Sequence, residues 1–172
     1  LLKAHAESDV VLSCRLAAEN GHLDAMQCFL NHRADLLLTV PHGALLQLQT
    51  KLQKKMPDIA ALPQHLRNCF RRVETRCKLL EKFESAAKTG DTGTLRTCLQ
   101  HSGLSTGVIF HTGWNALGLA AAGGHSEAVM FLLNQGAQVD APMSDGRSAL
   151  DIATQSGNID VATLLIDKKS NV

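Results

Sequence analysis

The sequence predicts an all-α solenoid of stacked helix-turn-helix units, and three observations carry that prediction. First, a pattern recurs after 33 residues: Gly113 registers on Gly146, Leu117 on Leu150, Ala120 on Ala153, Gly124 on Gly157 and Leu132 on Leu165. A fixed period of this size is the mark of a repeat array. Second, Val129, Leu132 and Leu133 step as one face of a helix. Third, aromatic residues make up only 3% of the chain and Tyr is absent, while Ala120, Ala121 and Ala153 are small where two helices must approach closely. A lone helix pair cannot bury its own apolar face, so it must lean on a neighbour.

The elements come in order within one domain, 1–172. Residues 1–7 form a frayed end or the tail of a preceding unit. Residues 8–35 hold one repeat, with Leu16-Ala17-Ala18 and Gly21-His22 in the shared frame and helices near 9–19 and 23–31. Residues 36–82 are the irregular part. Leu36 to Gly43 reads as a finger and 45–55 as a helix, and Pro57 and Pro63 interrupt the chain beyond that helix. Gly21 and Gly90 lie 69 residues apart, about two periods, so this part is a degenerate repeat or an insertion. Leu66, Phe70, Val73, Cys77, Leu80, Phe83 and Ala87 then step by 3 or 4, which predicts one long helix from about 64 to 88. Its last turns open the next repeat, 83–102, built on Ala86-Ala87, Gly90, Leu95, Cys98 and Leu99. The connector 101–112 carries apolar residues through Phe110 that look exposed. Repeats 111–142 and 143–168 complete the array. Gly124 and Gly157 end first helices, where a left-handed residue is cheap only for Gly. Ser148 and Asp151 have capping-box spacing, with Asp for Glu. The tail from Asp167 is polar enough to cap the stack.

These residues carry a resemblance to the ankyrin repeat family. The family's unit is a β-turn finger followed by two antiparallel helices. One copy matches its signature at Gly113, Leu117, Ala120, Ala121, Gly124, His125, Val129, Leu132, Leu133, Gly136 and Ala137. The next matches at Gly146, Leu150, Ala153, Gly157, Ala162, Leu165 and Ile166. The family's T-P-L-H is altered to Asn115-Ala-Leu-Gly118 and Ser148-Ala-Leu-Asp151, a departure expected to weaken the hydrogen bonds that its Thr and His supply between finger and helix.

Several chemistries are disfavoured. Net charge is +1, so no global field draws the chain to nucleic acid or membrane. No apolar run approaches the length of a membrane span. The five cysteines lack CxxC spacing, which suggests reduced thiols and a cytoplasmic setting, or a host cytosol if the protein is secreted into one. The chain begins at Leu1, and is read as an excised fragment of a longer protein. Zinc needs close pairs, and neither His22 with His32 nor Cys69 with Cys77 qualifies. His22 and His125 sit at the repeat's own His position, which favours a structural role, and Cys14 and Cys28 fall on buried-face positions. Asp91-Thr92-Gly93 copies the aspartic-protease tripeptide but falls between two helices and has no second copy. Phosphate loops, nucleophile elbows and zincin motifs are missing from the sequence. The expectation is therefore no metal, no cofactor, no small-molecule substrate and no enzymatic activity in this segment alone.

Binding remains. The resemblance implies a protein–protein interaction module that grips its partner with finger tips and the inner face of the first helices. Carried over by position, those residues are His111, Thr112, Trp114, Ala122 and Gly123, then Ser144, Asp145, Arg147, Gln155 and Ser156. Earlier copies add Glu19, Asn20, Lys88 and Thr89. Trp114 is the only Trp, and Trp and Arg are enriched in hot spots. It either meets the partner or folds back on Phe110 or Met143 to brace a finger; Arg147, its counterpart one repeat on, should lie beside it. Residues 36–82 hold nine Lys/Arg against three Asp/Glu. Arg67, Arg71, Arg72, Arg76, Lys78 and Lys82 make this either a solvated helix face or a second docking patch for an acidic partner. Nucleic acid is disfavoured because no aromatics interleave with the bases. The module either stands as a scaffold or adaptor segment, or docks substrate for a larger enzyme, such as a secreted bacterial effector modifying a host protein.

Overall fold

The computed structural model of the chain describes His22, Ala25, 42–55 and 64–170. The expected repeat at 8–35, with Cys14, Glu19, Asn20, Cys28 and both its helices, lies outside the described residues apart from an exposed His22 and Ala25. Seven named helices and no named strand occur among those described. The chain divides into two compact units, Leu1–Lys78 and Leu79–Val172.

The first unit contains α1 (His42–Lys55) and most of α2 (Gln64–Thr89). Helix α1 starts at His42, immediately after Pro41, so the expected finger does not extend to Gly43. Ala44 and Leu45 are buried on α1. On α2, the 26-residue helix that the stripe foretold, Val73 and Cys77 are buried.

The second unit continues with the end of α2 and adds α3 (Thr92–Ser102), α4 (Ala116–Ala122), α5 (Ser126–Asn134), α6 (Ala149–Gln155) and α7 (Ile159–Ser170). Helix α4 packs on α5 and on α6, α7 packs on α5 and α6, and α3 packs on α5. The repeat positions are what these contacts bury: Leu95, Leu117, Ala120, Ala121, Val129, Leu132, Ile152, Ala153 and Leu165. Arg96 adds a cation–π contact from α3 over Phe131 of α5, 5.4 Å from the ring centroid.

The stack is also fastened by hydrogen bonds recurring at the repeat period. His125 Nε2 donates to the Lys88 carbonyl at 2.9 Å, closing the end of α2. One repeat on, Asn158 Nδ2 donates to the carbonyls of Ala121 and Ala122 at 2.7 and 2.9 Å. The His and Asn occupy equivalent positions and satisfy carbonyls that a helix terminus leaves open.

One expectation needs correction. The connector's apolar residues are not all exposed. Leu104 and Phe110 are buried, and Phe110 meets Phe83 edge to face with ring centroids 5.6 Å apart, because an apolar loop beside a helix pair buries more surface by folding onto it. At the altered T-P-L-H positions both helix starts are capped, the second by the box that its spacing predicts. Asn115 Oδ1 accepts from Gly118 N at 2.8 Å, and Ser148 and Asp151 form a complete capping box. Asn and Ser are as competent at an N-cap as Thr.

Asp91 is likewise a cap: its carboxylate accepts from Thr94 N at 3.0 Å. Hydrogen bonds from the Thr94 side chain and backbone hold its carboxyl below the ordinary range. The Ser148 backbone and hydroxyl do the same for Asp151, and the Arg147 side chain for Asp145. A depressed carboxylate contributes stability above its unfolded-state pKa near 3.8 and loses it as pH falls through the folded value. The urea midpoint should therefore be level from pH 7 to 5 and fall below pH 4. Asp151→Asn should flatten part of that fall; an unchanged slope between pH 4 and 2 would show that the capping box does not feel the titration.

Candidate functional site

The two complete fingers position the site. Phe110 N donates to Trp114 O at 2.8 Å and Met143 N to Arg147 O at 2.9 Å, so each finger is a closed turn. Ser144 N donates to Gly113 O at 2.9 Å and ties one finger to the next. Side chains at equivalent points of the two turns are thereby set one repeat apart.

The Arg147 guanidinium lies over the Trp114 ring, 5.4 Å from its centroid. Its Nε and Nη2 both donate to Asp145 Oδ2, at 2.9 and 2.6 Å. Asp145 Oδ1 accepts from the Arg147 backbone N, and Nη1 donates to Gln155 Oε1 on α6. Finger and inner helix are thus joined through one fixed side chain. Of the braces considered for Trp114, Phe110 is turned toward Phe83, and Met143 packs over Gly118 of α4. Arg147 is in direct contact with each of Trp114, Asp145 and Gln155. Trp114 is half-buried, whereas Thr112, Gly123, Ser144 and Ser156 are exposed and Ala122 is half-buried. Thr89 turns its hydroxyl back to the Ser85 carbonyl at 3.0 Å.

His111 and Lys88 belong to a second group. Glu84 is buried at 3% exposure. Its Oε1 accepts from Lys88 Nζ at 2.7 Å, and its Oε2 lies 3.1 Å from His111 Nδ1. A carboxylate this deep needs a counter-charge or hydrogen bonds to offset its desolvation, so these two side chains are partly spent on holding Glu84. Sequence reading missed Glu84; the signal was its place beside Phe83 at the end of an apolar stripe, one turn before Lys88.

The basic helix is not uniformly solvated. Arg71, Arg72, Lys78 and Lys82 are exposed and Arg67 is half-buried, but Arg76 is buried. Lys78 pairs with Glu74 at 2.7 Å. Arg76 therefore does not share the solvent-facing side expected for it, because its position falls beside Val73, Cys77 and Leu80 on the apolar stripe.

Nothing in the second unit has the form of a catalytic centre among the described residues. A pocket of about 240 Å³ beside the connector is lined by residues such as Ser105, Thr106, Asn115 and Gln138, with no ionisable side chain. Cys77 and Cys98 are both buried and outside any disulfide, and burial pushes the Cys98 thiol up, the reverse of what a nucleophile requires. No described helix is long and apolar enough to cross a membrane.

Short paired helices, closed fingers and stacking through equivalent positions define a helical-repeat protein of the finger-bearing kind. The family model for ankyrin repeats, in three copies, matches residues 83–172. The chain belongs to the ankyrin repeat family. The chain is similar to the NAD-capped RNA hydrolase NUDT12 of Homo sapiens and of Macaca fascicularis, at 35% identity over 92 residues. Those residues are 54% of this chain, which spans about a fifth, 20%, of those relatives' length. Among solved structures it is similar to the Bd0816 predatory endopeptidase from Bdellovibrio bacteriovorus in complex with immunity protein Bd3460. That match has 29% identity and a TM-score of 0.48 and covers 51% of this chain and 45% of that one.

Proposed function

We propose that this chain is a protein-binding module whose recognition surface is the finger tips and inner helix face around Trp114. Ankyrin repeats are protein-interaction units. The observation that carries the reading is Arg147, held by Asp145 and Gln155 and laid over the one Trp of the chain. An aromatic side chain fixed before binding loses little entropy on association, and such anchors dominate interface energetics. Thr112, Ser144 and Ser156 supply the adaptable polar rim. Buried cysteines outside any disulfide accord with a reducing, cytoplasmic setting.

The test is capture of a partner from lysate by the native chain, and then titration of that partner. Trp114→Ala should weaken binding more than tenfold, the scale of a hot spot worth about 2 kcal/mol, and leave Tm nearly unchanged. A large fall in Tm with unaltered affinity would make Trp114 a brace and end the reading.

A second reading has its own observation. The matched relatives carry the name of a hydrolase, and the similarity covers only a fifth, 20%, of their length. On that reading the array docks substrate for a catalytic domain elsewhere in a longer chain, a secreted effector being one such case. The exposed Arg71 and Arg72 offer a further docking patch in either setting. Sequence flanking this segment separates the two readings.

A further inference from the structure

Arg76 is the group that neither docking reading explains. It stands on α2 with 8% exposure, and its guanidinium is charged at any pH a protein survives. Positions three and four residues away on either side are Arg72, Val73, Leu79 and Leu80, so its own helix offers no carboxylate within reach. The nearest acid in sequence, Glu74, is paired with Lys78 at 2.7 Å. Nε is fully enclosed without a hydrogen-bond partner, and the ion pairs formed by described residues do not include Arg76. Burial pushes its pKa below the ordinary arginine range, with no opposing charge to restore it. A desolvated cation left unpaired is among the most unfavourable arrangements in a folded protein, and such groups are ordinarily matched by a counter-charge. Nη1 and Nη2 are not among the enclosed polar atoms that lack a partner, and no hydrogen bond among the described residues holds them, so the outer edge of the guanidinium is the part a ligand can reach.

We infer that Arg76 receives a carboxylate from an acidic segment of a bound protein, as the specific contact within the basic helix. The inference rests on the docking role of that helix and is independent of the Trp114 surface. Charge matching favours a carboxylate over a phosphate. One guanidinium offers one positive charge and a planar edge that fits a carboxylate in two parallel bonds. A phosphate near charge −2 needs further donors. The backbone amides in the middle of α2 are occupied by the helix, and Arg72, one turn earlier, already has an interaction of its own.

The experiment uses the whole chain, labelled to show arginine side chains by NMR. Three probes are compared at equal ionic strength: a short capped peptide rich in Glu, the same peptide with Gln for Glu, and inorganic phosphate. The Glu peptide should move the Arg76 side-chain resonance and, at saturation, raise Tm by about 5 °C; the Gln peptide should do neither. Arg76→Met should melt higher than the native chain without peptide, because an unpaired buried charge is gone, and should lose the peptide response. The double variant Arg71→Gln with Arg72→Gln should weaken the affinity, most visibly at low salt, yet keep the Arg76 resonance shift. Equal responses to Glu and Gln peptides, a larger response to phosphate, or an undiminished response in Arg76→Met would each overturn the assignment. Should Arg76→Met fail to fold, the native chain's response to the three probes decides. If the double variant alone loses binding and Arg76 never shifts, the basic patch stands and the Arg76 site falls.

Discussion

Leu132→Ala should destabilise the second unit by about 3 kcal/mol, within the 2–5 usual for truncating a buried Leu. Leu132 is 0% exposed in the middle of α5. That helix is in contact with α3, α4 and α7, so the cavity would open at the meeting of several repeats rather than at an end. Its carbonyl also takes Ala137 N at 3.0 Å in the turn that ends α5. In a repeat array, stability is close to a sum of unit terms and nearest-neighbour terms; a void here reduces the packing of α5 with neighbours on both sides. Leu165, the equivalent residue in the last repeat, is equally buried but has no described helix after α7. Leu165→Ala should therefore cost less, and the difference between the two is the measure of interface coupling. Urea unfolding monitored by circular dichroism checks both. Equal losses would show that the cavity term is local to each helix pair.

The period made most of this legible. Positions that stack must recur, so Leu117, Ala120, Val129 and Leu132 announce themselves by their return one repeat later, and the long stripe from Val73 to Ala87 announces α2 in the same way. What the sequence concealed is whatever breaks the period while keeping its chemistry. Asn158 does the work of His125 with a different side chain, and Asn115 caps where the family carries Thr, because a carbonyl or an amide N–H bonds any suitable donor or acceptor placed at hydrogen-bond distance. Connector residues Leu104 and Phe110 gave no periodic signal, since a loop folds onto whatever apolar surface lies near it. Glu84 and Arg76 were hidden for a further reason. A charged residue inside an apolar stripe reads as solvated from pattern alone, and only three dimensions reveal that one is offset by Lys88 and His111 while the other is not. In the candidate site, the pairing of Trp114 with Arg147 came from repeat register; Asp145 and Gln155 as its supports did not, because both were chosen as contact residues rather than as holders of Arg147.

Gly124→Val should cost about 3 kcal/mol, and the reason is separable into parts. Gly124 has φ of +70°, a region that a β-branched residue occupies only with strain of roughly 1–2 kcal/mol. A Cβ there would also stand 2.9 Å from Asn158 Oδ1 and 3.1 Å from its Cγ. Asn158 cannot yield without loosening its bonds to the Ala121 and Ala122 carbonyls, each worth about 1 kcal/mol net. Gly136 supplies the control. Its φ is +85° and nothing lies within 4 Å of a Cβ built on it, so Gly136→Val reports backbone strain alone. The excess loss at Gly124 is then the inter-repeat fastening. That excess should vanish when Asn158→Ala is already present, since the bonds it disturbs are gone, and a double-mutant cycle in urea measures the coupling directly. Equal losses for Gly124→Val and Gly136→Val, with additive behaviour in the cycle, would mean that the Asn158 bridge contributes nothing and that apolar packing alone holds one repeat to the next.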